Sequence, residues 1–122
     1  MNAEQFIQGV LQHMKASARG DIEFIQSSPP GRKPHQEDVE MHRWYSRLSD
    51  GDKDMIHRLI YKTVEGTMYG FLMILDHKMF IEGVGEKGEL ELYHTDIKGE
   101  RVRLNPTDEV HDLEYYFKTA QG

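Results

Sequence analysis

Seven histidines in 122 residues raise the question of chemistry first. Imidazole changes charge near neutral pH and is the commonest metal ligand. The spacing offers no ready site. No two histidines stand three or four apart on a predicted helix, so the H-x-x-x-H pattern of a helical zinc site is absent. Asp38 with His42, and Asp54 with His57, are each one turn apart and could supply two ligands per pair. His94 shares a strand face with Asp96, with His94 pointing inward. A metal would have to gather its ligands from separate elements. His94, His111 and Asp112 are the candidates, and they would serve a small metal- or histidine-dependent hydrolase.

His111-Asp112 has the paired form seen in metal-dependent phosphohydrolases, but those enzymes need further histidines and an aspartate on neighbouring helices. Two polar residues at a helix start more often cap it. Glu82, Glu89 and Glu91 could supply paired carboxylates for acid–base work. Glu89 and Glu91 lie two apart on one strand face, about 7 Å from each other. Arg103 lies diagonally across from Glu91, and an ion pair there accounts for Glu91 without chemistry. The serines cluster in a proline loop and before the third helix, with no G-x-S-x-G elbow. No cysteine is present, which excludes disulfides, thiolate metal sites and a cysteine nucleophile. No nucleophile is visible, and no cofactor is expected. In Trp44-Tyr45 and in Tyr115-Tyr116-Phe117, one aromatic can enter the core and its neighbour must point elsewhere. An exposed aromatic beside charges suits a binding surface.

These residues need a frame, and a chain of this length is one domain by size, residues 1–122, with a single core. Charge is uneven. Met1 to Leu75 carries ten acids and nine bases, while Asp76 to Gly122 carries eleven acids and six bases, for a net charge of −6. Phosphate-rich partners are disfavoured, since nucleic acid demands a basic footprint, whereas a basic protein partner is permitted. The opening residues lack a basic n-region and contain Glu4, unlike a secretory signal. With the cysteine-free composition, this points to the cytoplasm.

Phe6, Ile7, Val10, Leu11 and Met14 recur at spacings of three and four, predicting a helix over 3–18 with Gly20 as its stop. Residues 22–26 read as a strand or a helical turn. Residues 27–34, with three prolines, form a surface loop. A second helix is expected from Gln36 to Leu48, with Glu37, Asp38 and Glu40 at its dipole-favoured start. Ser49 or Asp50 caps a third, whose apolar pairs extend to Leu75. The uncharged run 66–75 is too short for a bilayer, which needs roughly 20 residues, so that stretch is a buried helix and no membrane is involved. Gly66 and Gly70 share one helix face and are expected to admit a neighbouring backbone closely. From Lys78 the period changes to two, predicting three strands: K-M-F-I-E-G-V, E-L-E-L-Y-H-T-D and R-V-R-L-N. Setting Leu92 against Leu104 and His94 against Val102 leaves Ile97-Lys98-Gly99 as the loop, closed by a left-handed glycine. Tyr93 then faces Arg103, and Thr95 faces Arg101. Thr107 or Asp108 caps a last helix from Val110 to about Thr119. The expected fold is α+β, with helices packed on one face of a three-stranded antiparallel meander and a C-terminal helix.

W-Y-S-R-L-S at 44–49, G-F-L-M-I-L-D at 70–76, E-L-E-L-Y in the strand and V-H-D-L-E near the end together give the chain a resemblance. Over roughly residues 44–114 it resembles short uncharacterised bacterial proteins of the toxin-associated immunity or accessory type. The shared motifs are a cap, a buried helix and a hairpin, and they bring no catalytic residue with them.

The expected function is a non-enzymatic protein-interaction module of immunity or inhibitor type. Its acidic face would comprise Glu82, Glu86, Glu89, Glu91, Asp108, Glu109 and Asp112, anchored by Tyr93 or Tyr115, against a basic protein partner such as a toxin. The alternatives are a structural homo-oligomer, a homodimer in the simplest case, paired through an edge strand or an aromatic helix face, and the hydrolase above.

Overall fold

The computed structural model describes residues 1–79, 88–105 and 111–121. Four helices hold 65% of the described residues: α1 (Ala3–Gln26), α2 (Gln36–Ser46), α3 (Asp50–Leu75) and α4 (Leu113–Gln121). Strands β1 (Tyr93–Thr95) and β2 (Arg101–Arg103) lie between α3 and α4 in sequence. Among the described residues the fold is therefore mainly helical with a two-stranded sheet, in place of the expected α+β meander of three strands. No helix among the described residues is long and apolar enough to cross a membrane.

The described start of the first expected strand takes another form, for a local reason. Lys78 and Met79, which should open it, instead close α3. His77 N–H donates to Ile74 C=O at 3.1 Å and Lys78 N–H to Met73 C=O at 2.9 Å. That pair of bonds is a Schellman ending, and His77 takes the left-handed position usual for glycine, at φ 62°. The rest of the expected strand, residues 80–84, lies outside the described residues.

The residues group into two compact units, Met14–Glu65 on one hand and Met1–His13 with Gly66–Gly122 on the other. In the Met14–Glu65 unit, α1 runs through Gly20 to Gln26 instead of stopping there. Buried Met14, Ala18 and Ile22 continue one stripe at a spacing of four, and a single glycine costs only about 1 kcal/mol against that burial. Residues 27–34 form no helix or strand, as their prolines dictate. α2 turns Tyr45 into the core. Ser49 caps α3 as expected, its Oγ accepting Asp52 N–H at 3.2 Å. Between Asp50 and Glu65 no residue of α3 is fully buried.

In the other unit, Asn2 and Gln5 form a reciprocal capping box at the start of α1, with bonds of 2.8 and 3.0 Å. Ile7, Leu11, Leu72, Leu75, Leu104, Leu113 and Phe117 make the core. The hairpin has the expected register: Tyr93 opposite Arg103, His94 opposite Val102 and Thr95 opposite Arg101. Gly99 closes the turn at φ 86°, and the Asp96 carboxylate accepts Lys98 and Glu100 N–H, each at 2.9 Å. His94 is half-buried, while Val102 opposite it is 42% exposed. α4 begins three residues later than expected, with Asp112 as its cap, accepting Tyr115 N–H at 2.8 Å. The expected caps Thr107 and Asp108 lie outside the described residues. The expectation for Gly66 and Gly70 also fails, because a Cβ built on either would meet no atom within 4 Å.

Candidate functional site

Of the seven acids expected to form one face, Glu82, Glu86, Asp108 and Glu109 lie outside the described residues. Glu89 and Glu91 flank the hairpin and both engage Arg103, Glu89 through a short bond to its Nη2 and Glu91 at 3.7 Å. The guanidinium beside Glu89 holds that carboxyl below the usual range. Arg101 stacks 3.7 Å over the Tyr93 ring, and Tyr93 O–H donates to Glu91. On this face Arg103 answers both glutamates and Arg101 covers the Tyr93 ring, so two arginines balance two carboxylates in charge. Asp112 is only 4% exposed, so it cannot be presented to a partner. Tyr115 is 40% exposed, with the His111 ring edge-on to it at 4.9 Å.

A polar cluster that no sequence motif marks lies where α3 ends and α4 begins. Asp76, Asp112 and Glu114 each offer a carboxylate oxygen within 4.8 Å of the others. This group includes Asp112 but neither His94 nor His111. Lys78 Nζ sits among the acids, 2.9 Å from Asp112 and 2.6 Å from Glu114. Lys118 Nζ is 2.8 Å from Glu114, and Tyr69 O–H donates to the same oxygen. These three donors, Lys118 first, hold the Glu114 pKa down at about 2. Burial pushes Asp76 up, against the opposing bonds from Glu114 and Leu113 N–H. Every carboxylate here already has a structural donor, Lys78 for Asp112 and Glu114 and two helix amides for Asp76. The cluster secures the start of α4.

Asn105 is a second fastening that sequence reasoning missed. Fully buried, it accepts Leu92 N–H at 2.7 Å and donates to the carbonyls of Leu75 and Leu90. His77 Nε2 accepts Leu90 N–H at 3.0 Å, so the ring proton sits on Nδ1. Neither residue belongs to a sequence pattern. Only the fold reveals what they hold.

In the Met14–Glu65 unit the paired residues part company. Asp54 bridges to Arg58 at 3.2 Å, while His57 Nε2 bonds the buried Tyr45 hydroxyl at 2.7 Å. Gln26 donates to that same hydroxyl at 3.4 Å. His42 turns from Asp38 to the Ile25 carbonyl, 3.1 Å from its Nδ1. The aromatic pairs divide as expected: Tyr45 is 4% exposed and Trp44 50%, and in α4 Phe117 is buried beside exposed Tyr115.

Outward-facing apolar side chains are the other feature of this unit. Met41 and Trp44, three apart on α2, are 40% and 50% exposed, and Met55 and Leu59, four apart on α3, are 56% and 57% exposed. These spacings place each pair on one face of its helix. Isolated exposed apolar residues are ordinary, but aligned pairs including a tryptophan form ridges. Compared with known proteins, the chain matches no protein-family model, no curated protein and no solved structure.

Proposed function

We propose that this chain acts by binding a protein, as an interaction module of immunity or inhibitor type. The observation that carries the reading is the pair of exposed ridges, Met41 with Trp44 and Met55 with Leu59. Tryptophan and methionine are enriched at the buried centres of protein interfaces, and a tryptophan is a frequent energetic anchor there. The net charge of −6 favours a basic partner and a fast, salt-sensitive encounter. Tyr115 and the hairpin face around Tyr93 remain as secondary contacts, since that face is charge-balanced. Catalysis finds no support in the acidic cluster, where each carboxylate is engaged by a lysine, a tyrosine or a helix amide.

The test is capture from a lysate of the source cell on immobilised protein, washed with rising salt. One basic protein in near-equal amount, released at moderate salt, is the expected result. An empty column with the protein folded removes the proposal. Pairing of two copies through the same ridges is a second reading, since it would bury the same exposed Met41, Trp44, Met55 and Leu59. Light scattering at two concentrations separates it from a monomer.

A further inference from the structure

The loop 27–34 and the side of α2 enclose an open groove of about 450 Å³, lined by Ser28, Pro29, Val39, His42, Arg43, Ser46 and Arg47. That volume is within the range of small-molecule sites, roughly 300–1,000 Å³. Its charge is the opposite of the chain's. The protein carries −6 overall, yet the groove lining contains two arginines and no carboxylate.

Neither arginine is neutralised by an acid among the described residues. Arg47 Nε donates to the Arg43 carbonyl at 3.2 Å, which fixes its guanidinium and leaves the Nη groups available. A cation at the end of a helix complements the dipole, and Arg47 satisfies that role by itself. Arg43 makes no side-chain hydrogen bond or ion pair among the described residues. Four residues apart, the two lie on one helix face with Cβ atoms roughly 6 Å from each other, a separation that can bracket a tetrahedral oxyanion. The other polar groups of the lining are committed. His42 Nδ1 donates to Ile25 C=O, so Nε2 is the atom that meets the Ser28 hydroxyl, at 3.4 Å. Ser28 O–H then donates to that Nε2, and Ser46 O–H to the His42 carbonyl at 2.7 Å, so the arginines are the groove's available donors.

We propose that this groove binds a small phosphomonoester, its phosphate held between Arg43 and Arg47. Arginine suits this chemistry because its planar fork donates paired bonds to phosphate oxygens. A net acidic chain repels an extended polyanion, so one small phosphate is favoured over nucleic acid.

Titration calorimetry at low and moderate salt, using inorganic phosphate, glycerol phosphate and acetate as probes, tests the site. Saturable binding of both phosphate probes is expected, with acetate at least about tenfold weaker, since bonds to a charged group are each worth about 1.5–3 kcal/mol. The double variant Arg43→Gln, Arg47→Gln should lose at least tenfold. Lys62→Gln, elsewhere on the same unit, should change nothing. Absence of saturable phosphate binding overturns the proposal, as does equal affinity for acetate. So does an affinity that survives the arginine changes, or that falls equally with Lys62→Gln.

Discussion

The carboxylate of Asp76, one residue beyond α3, accepts the backbone N–H of Glu114 in the first turn of α4 at 2.8 Å, and that of Leu113 at 2.9 Å. Amides at a helix start have no partner within the helix. Here one comes from a residue 38 positions away in the chain, and Asp112 supplies the local cap as well.

Replacing Asp76 with alanine strips acceptors from two amides at once. Leu113 is fully buried, so a loss of roughly 1–3 kcal/mol in urea unfolding is expected. Asp76→Asn keeps one acceptor oxygen and should lose less. Equal stability of Asp76→Ala and the wild type would mean that α4 is held without this residue.

Asn105→Ala is expected to cost a similar amount, about 1–3 kcal/mol, because it leaves Leu92 N–H and the Leu75 carbonyl without their partner. Hydrogen exchange should locate the loss at Leu92 N–H. Unchanged protection of that amide would remove Asn105 from its role.

Acidification tests the cluster by sign. The Glu114 pKa falls from 4.5 to about 2 on folding, so its contribution is complete above pH 4.5 and disappears as pH falls towards 2. Asp76 is raised above 3.8, chiefly by burial, so its protonation favours the folded state and opposes that loss. Glu114→Gln should therefore flatten the acid limb of stability against pH, and Asp76→Asn should steepen it. Urea midpoints between pH 7 and pH 2 provide the comparison, and parallel curves for all three proteins would contradict it.

Glycines divide by conformation. Gly66→Ala and Gly70→Ala should each stabilise the protein by about 0.5–1 kcal/mol, since nothing lies within 4 Å of the added carbon. Gly99→Ala should destabilise by about 1–2 kcal/mol, because its φ is 86°. Destabilisation by alanine at Gly66 would restore the close helix approach that the sequence suggests.

The hairpin was legible in the sequence because alternation, a glycine-closed turn and cross-strand charges all specify one register. The α3 start was legible through Ser49. The end of α3 was not, since a histidine occupies the left-handed position and gives no glycine signal. Lys78 and Met79 then looked like the start of a strand. α1 was cut short at Gly20, although Met14, Ala18 and Ile22 carry the stripe past it. The division between Trp44 and Tyr45 could be expected from adjacency. The cluster of Asp76, Lys78, Asp112 and Glu114 could not, since its members are up to 38 residues apart and share no motif.

Binding through the exposed ridges is tested most directly by side-by-side capture from source lysate on the wild type and on Trp44→Ser, Leu59→Ser. Both side chains are half exposed, so unfolding stability should fall by roughly 1 kcal/mol per site, with the protein still folded. Loss of a hot-spot side chain costs at least about 2 kcal/mol of binding. The expected result is one basic protein retained by the wild type and lost from the still-folded variant. Retention of the same protein by both would contradict the ridges as the binding face.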